Sequence, residues 1–196
     1  MGKGATTREA IVSQALDSAV QIGLSGLSLG PLAEGLGLSK SGLFAHFKSK
    51  QALQLAVLQE AIDRFRIRVV EPGLQAPRGR PRMEALMARW FGWIEGEPGM
   101  GGCLFAVAAQ EYDDRPGALH DLLVESQTAW HETLARVATD LPRGGSAPAD
   151  FGRQVAFEVS GVSLAFQQQA KLFRAPNARA RAEEALARIL DDAEAG

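Results

Sequence analysis

The run Ser28-Leu29-Gly30-Pro31-Leu32-Ala33-Glu34-Gly35-Leu36-Gly37-Leu38-Ser39-Lys40-Ser41-Gly42-Leu43-Phe44-Ala45-His46-Phe47 decides the fold. Its apolar residues recur at helical spacing and are interrupted at Gly37, so it reads as two short helices joined by a tight turn. Ser28 is placed to cap the first, where Pro31 is tolerated because first-turn amides lack intrahelical acceptors; Ser39 is placed to cap the second, over residues 40–47. Two short helices that cross steeply need particular residues where they touch. Ala33 is small enough for close approach, Gly37 can take the left-handed conformation of the turn, and Leu43 packs inward. Leu29, Leu32, Leu36, Leu38 and Phe47 supply the remaining apolar contacts. Helical geometry then turns Lys40, Ser41, Gly42, Phe44 and Ala45 outward. An exposed helix that opens on Lys-Ser-Gly leaves its backbone amides uncrowded, which suits insertion into the major groove of DNA.

The charge distribution points the same way. The whole chain of 196 residues carries a formal net charge of −2. Residues 1–58 hold five basic side chains (Lys3, Arg8, Lys40, Lys48, Lys50) against three acidic ones (Glu9, Asp17, Glu34), and three of the five basic residues fall within 40–50. A modest positive field on one short element is what phosphate contact requires. The hydrophobic fraction of 46% with 22% charged residues describes an ordinary globular protein and excludes a mainly disordered chain. No apolar run approaches a membrane span, and residues 1–8 lead into no apolar signal core. The single cysteine, Cys103, excludes an internal disulfide and a cysteine-built zinc site, so a cytoplasmic protein is expected.

Helical periodicity dominates the rest of the chain, and the expectation is an all-α protein of nine helices. Thr6-Thr7-Arg8-Glu9 resembles a capping box at the start of a first helix that Gly23 and Gly26 stop. Ser49 caps a long helix over 50–70. Breakers at Pro72, Gly73, Pro77, Gly79 and Pro81 separate it from a helix over 82–95, and Pro98 to Gly102 from one over 103–112. Pro116 sits where a first helical position is expected before a helix over 118–139. After a third break, Pro142 to Pro148, two last helices are expected over 150–173 and 177–192.

Leu38-Ser39-Lys40-Ser41-Gly42-Leu43-Phe44-Ala45-His46-Phe47-Lys48-Ser49-Lys50 closely resembles the recognition helix and following helix start of the tetracycline-repressor (TetR) family of transcriptional regulators. The resemblance covers about residues 6–58. It implies a three-helix helix-turn-helix domain over 1–50, followed by an effector-binding and dimerisation domain over 51–196. The last two helices would form the dimer, and an effector pocket in the C-terminal bundle would control DNA release. Ser39 and Lys40 match the start of the recognition helix, His46 and Phe47 its end, and Lys50 a common phosphate contact. The DNA-binding set is therefore Ser39, Lys40, Ser41, Gly42, Phe44, Ala45, His46 and Lys50. Phe44 departs from the family's usual tyrosine, whose hydroxyl reaches a phosphate, and Gly30 stands where a longer polar residue is common. His46 fits a packing role between helices better than a base contact.

The C-terminal part is read from its own residues. Residues 155–166 are apolar or small nearly all round, so that helix must be covered on both sides. Val155, Val159, Gly161 and Val162, with Ala182, Leu186 and Ile189 of the last helix, are the expected dimer contacts of an isologous four-helix interface. Met87, Trp90, Phe91, Leu104, Phe105, Tyr112, Trp130 and Phe166 are the candidate lining of a ligand pocket, suited to an apolar or aromatic effector. The resulting expectation is a homodimeric repressor of a palindromic double-stranded operator, released by a small apolar ligand, with no cofactor, no metal and no membrane partner. Two alternatives stay open: an all-helical metal-dependent enzyme, and a ligand-independent helix-turn-helix interaction protein. The enzyme reading rests on Glu111, Asp113, Asp114, His120, Asp121 and His131. His120 and His131 are eleven residues apart, too far to share a helical turn, and no HExxH or ExxH pattern occurs. Residues 111–115 read as a solvated helix end, and Cys103 as a small buried hydrophobe.

Overall fold

The computed structural model describes residues 3–96, 103–141 and 148–195, with the side chains of residues 3–6 left aside. All regular structure among them is helical. The elements are α1 (Lys3–Gly26), α2 (Leu29–Gly35), α3 (Lys40–His46), α4 (Lys50–Phe65), α5 (Glu71–Leu74), α6 (Arg80–Glu95), α7 (Leu104–Tyr112), α8 (Ala118–Ala138), α9 (Phe151–Gln167) and α10 (Ala178–Ala195). A π-helical segment, Arg66–Val70, joins α4 to α5 without a break in helical dihedrals, and another, Gln168–Leu172, prolongs α9. Counting α4 to α5 as one rod gives nine helical rods among the described residues, as the sequence pattern indicates.

Several boundaries differ from those expected. α1 begins at Lys3, so the Thr6 to Glu9 signature lies inside the helix rather than at its cap. Ser28 holds the extended dihedrals of an N-cap, yet its side chain makes no capping bond. Pro116 lies outside α8, which starts after Gly117. The rod from Lys50 runs on through Pro72 and Gly73, which were expected to end it. Proline removes an amide donor, and here the π geometry absorbs the loss: Glu71 N donates to Arg66 O, while the Arg68 carbonyl accepts from the Arg89 guanidinium at 3.4 Å. Gly73 serves packing, since a Cβ there would run into Leu86 Cδ2 and reach within 3.1 Å of the Leu86 Cα. The break between 98 and 102, and most of that between 142 and 148, lie outside the described residues.

The chain forms two compact units, Met1–Arg64 with Gly101–Val124, and Phe65–Met100 with Glu125–Gly196. In the first, Ile11, Ala15, Leu16, Leu24, Leu43, Leu53, Val57, Leu58 and Leu104 are essentially inaccessible to solvent. α7 packs along α1, which ties a helix from the middle of the sequence to the N-terminal bundle. In the second unit Met83, Leu86, Met87, Phe91, Trp93, Leu134, Val159 and Leu190 form the core. α9 packs on α6 and α10 on α9. Gly152 lets the start of α9 touch the backbone of α8, because a Cβ there would collide with the Ala135 carbonyl oxygen. Arg80 at the start of α6 binds Asp191 at 2.6 Å and Glu194 at 3.0 Å on α10, and so staples the two helices.

Candidate nucleic-acid interface

The turn between α2 and α3 is built as the glycine predicts. Gly37 has φ +64°, and Leu38 N donates to Ala33 O at 2.8 Å, closing the end of α2. Ser39 then caps α3, its hydroxyl accepting from Gly42 N at 3.0 Å. Ser49 caps α4 in the same way, accepting from Ala52 N at 3.0 Å. Leu43 and Phe47 are buried, and the Arg8 guanidinium from α1 lies 4.9 Å from the centre of the Phe47 ring.

With those side chains inward, Lys40, Ser41, Phe44 and Ala45 are exposed, while Gly42 and His46 are half-buried. Phe44 is 53% exposed, a large apolar side chain left facing water on the face that also carries Lys40. Gly30 has a partner in this face: the Lys40 stem lies over it, so that a Cβ on Gly30 would stand 3.2 Å from Lys40 Cε. The small residue at the start of α2 thus makes room for the cation at the start of α3. Ser39 is engaged as a cap and also lies 3.1 Å from Ser41 Oγ. Lys50 projects its ammonium to the Ser25 carbonyl at 2.6 Å, which leaves two of its three N–H donors free for another oxygen.

Sequence reasoning missed the group that anchors α7 to this bundle. Gly23 has φ +75° and ψ 167° and kinks α1, which frees the amides that follow it. Glu111 of α7 fills that gap. Its Oε2 accepts from Leu24 N at 2.9 Å and Ser25 N at 3.2 Å, and its Oε1 from Ser25 Oγ at 2.5 Å. Gln54 of α4, itself buried, donates to Leu24 O at 2.7 Å and lies 3.3 Å from the Tyr112 hydroxyl. Lys50 and Gln54 of α4, the kink of α1, and Glu111 and Tyr112 of α7 therefore form one polar knot. The expectation of a solvated helix end at Glu111 is corrected. Only the kink-permitting glycine was visible in the sequence, because the bonded residues lie 86 and 87 positions apart. Burial and the neighbouring Glu111 carboxylate raise the Tyr112 hydroxyl above the ordinary tyrosine range.

The remaining candidates divide between the two units. Leu104, Phe105 and Tyr112 belong to the first, and Met87, Trp90, Phe91, Trp130 and Phe166 to the second. In the second, Trp90 meets Trp130 edge to face at 5.2 Å, Phe65 meets both Trp93 and Trp130, and Phe91 meets Phe166 at 4.9 Å. Of the expected dimer contacts, Val155, Val159, Ala182 and Leu186 are largely buried within the protomer, though Ala182 also lines an open apolar groove with Val162, Ala165 and Ala185. Their apolar stripe is the one that packs α9 and α10 into their own unit. The outward side of α9 instead carries Phe157, 72% exposed, Gly161, and Leu164, 61% exposed, with Val162 and Ile189 half-buried beside it. Cys103 is half-buried at the start of α7, not enclosed. Among the described residues no three His, Cys, Asp or Glu side chains gather where they could hold a metal ion, and no helix is long and apolar enough to cross a membrane.

Two family models match this chain: "Bacterial regulatory proteins, tetR family" over residues 11–57 and "Tetracyclin repressor-like, C-terminal domain" over residues 79–186. The HTH-type transcriptional regulator RutR of Escherichia coli K12 is 45% identical over 56 residues, which is 29% of this chain and 26% of RutR. The match thus spans about a quarter of that curated relative. A TetR transcriptional regulator from Chloroflexus aurantiacus superposes with a TM-score of 0.82 at 25% identity, covering 97% of this chain and 96% of the other. AibR, whose crystal structure is a complex with isovaleryl coenzyme A and operator DNA, superposes with a TM-score of 0.70 at 17% identity over 94% of this chain and 96% of its own. With one model matched by more than half of its length and the other laid over the helix-turn-helix just described, the chain belongs to the TetR family of transcriptional regulators.

Proposed function

We propose that this regulator is a homodimeric repressor that binds a palindromic double-stranded operator through α3 and is released by a small apolar effector. The DNA-binding part is residues 1–50 and the effector and dimer part is residues 51–196. The observation that carries the reading is the α3 face: a Ser39-capped helix whose Lys40, Ser41, Phe44 and Ala45 are left uncovered, with the Lys40 stem resting over Gly30. Ser41, Gly42 and Ala45 face bases, Lys40 and Lys50 face phosphates, Phe44 packs against sugar, and Ser39 and His46 hold the helix in place. Dimer contact falls to the outward side of α9, where Phe157, Gly161 and Leu164 share one stripe. The AibR complex, with both an acyl-coenzyme A and operator DNA, is the precedent for effector and DNA in one protein of this fold. We read the protein as a cytoplasmic regulator without enzymatic activity.

Selection of bound duplexes from a random library tests the proposal. The expected result is an inverted repeat with half-sites about one helical turn apart, roughly 34 Å. Lys40→Ala is expected to weaken binding to all sequences and to reduce the salt slope by about one. Enrichment of no sequence, or of a single unrepeated half-site, would overturn the reading.

A further inference from the structure

The kink of α1 leaves the backbone of two consecutive residues to be satisfied from outside the helix, and all four polar atoms find partners. The amides of Leu24 and Ser25 both donate to Glu111 Oε2 of α7, at 2.9 and 3.2 Å. The carbonyls are taken by α4: Leu24 O accepts from Gln54 Nε2 at 2.7 Å, and Ser25 O from Lys50 Nζ at 2.6 Å. The Ser25 hydroxyl adds its own contact to Glu111 Oε1. α7 thus grips the amide side of the kink and α4 the carbonyl side, all within the first compact unit. Glu111 and Lys50 make no ion pair with each other among the described residues, so the structural link from carboxylate to ammonium runs through the Ser25 backbone.

Lys50 is exposed at the first position of α4, and the Ser25 carbonyl holds it there. Lys48 is equally exposed but makes no hydrogen bond or ion pair among the described residues. A free lysine loses rotamer freedom when it meets a phosphate, whereas one already held by a fixed carbonyl has lost part of that freedom beforehand. We infer that Glu111 is a positioning residue for DNA binding: by fixing the Ser25 backbone it fixes the carbonyl that aims Lys50 at its phosphate. This rests on the phosphate reading of Lys50 above, and it brings into the DNA-binding machinery a residue of α7, far outside residues 1–50. Charge alone predicts the reverse sign. A carboxylate this close to a phosphate contact opposes a polyanion, so its removal would by itself tighten the complex.

A double-mutant cycle on the full-length protein tests the inference, read by fluorescence anisotropy of the duplex enriched from the random library. Glu111→Gln keeps the side-chain shape and is expected to weaken binding about fivefold, the order set by partial loss of a lysine's rotamer restriction. In the Lys50→Ala background the same change is expected to leave binding unchanged or slightly tighter, whereas in the Lys48→Ala background the loss is expected to persist. Any loss of folded protein caused by Glu111→Gln scales binding alike in every background, so it cancels from the comparison. Ser25→Ala removes only the hydroxyl contact and is expected to repeat the pattern with a factor of about two. A loss of the same size in Lys50→Ala as in the parent makes Glu111 a structural residue and overturns the inference. Unchanged or tighter binding by Glu111→Gln in the parent overturns it too. If Lys50→Ala alone binds as the parent does, the phosphate reading of Lys50 falls together with the inference; if Lys50→Ala binds weakly and the cycle is additive, the inference alone falls.

Discussion

Replacing Glu111 with alanine removes three hydrogen bonds at once, and their burial differs enough to rank them. The Leu24 amide is the costly one, because Leu24 is fully buried and the Gly23 kink leaves its N–H without a helical acceptor. An orphaned buried donor costs about 1–3 kcal/mol. Ser25 is exposed, so water replaces the carboxylate at its amide and hydroxyl, and each of those bonds adds a few tenths of a kcal/mol. The sum is roughly 1.5–4 kcal/mol, which in a chain of this size lowers Tm by about 3–16 °C. Glu111→Gln keeps the shape and one acceptor oxygen, and is expected to lose about half as much. Gly23→Ala is expected to be at least as damaging as Glu111→Ala, since it combines strain at φ +75° with a collision against Glu111 Oε1. Urea unfolding followed by circular dichroism reads all three. An alanine variant within about 0.5 kcal/mol of the parent, the ordinary range for a surface substitution, would refute the reasoning and return Glu111 to the solvated surface.

Gly152→Ala is expected to destabilise by about 1–3 kcal/mol, because the added methyl meets the Ala135 carbonyl oxygen and, at 3.1 Å, Thr139 Cγ2; an unchanged urea midpoint would contradict that packing. Tyr112 is the only tyrosine, so absorbance at 295 nm titrates it alone, and the midpoint is expected above the ordinary value of about 10. The sign follows from that shift: its contribution to stability is complete below the unfolded value, is lost as pH rises through the folded one, and is absent in Tyr112→Phe. Gly161→Arg, where an added Cβ meets nothing within 4 Å inside the protomer, is expected to preserve the fold while yielding a monomer by light scattering and weaker operator binding. A stable dimer in that variant would move the interface off α9.

The helix-turn-helix was legible because its determinants are local. Gly37, Ser39, Leu43 and Phe47 act within a few residues of their partners, and the exposed side of α3 follows from which of them pack inward. Residues distant in sequence were not. Nothing near Glu111 announces that a kink 87 residues earlier needs its carboxylate. The α9 pattern was apolar on two sides, and composition alone does not say which side the protomer covers: the structure buries Val155 and Val159 and leaves Phe157 and Leu164 outward. Pro72 carried a strong local signal that was overruled by tertiary context: Arg89 of a later helix supplies the donor that proline lacks.

That proline also constrains how the rod carrying it can move. A π segment holds one residue more than α geometry needs, and in an ordinary helix that surplus can migrate, passing along the chain one hydrogen bond at a time and turning the helix beyond it as it goes. Here it is trapped. Restoring the α pattern beneath Pro72 would push its ring against the Arg68 carbonyl, so the surplus residue cannot slide past it. The surplus residue is thereby kept on the N-terminal side of Pro72, which fixes the face that α5 turns toward α6, where Gly73 lies against Leu86.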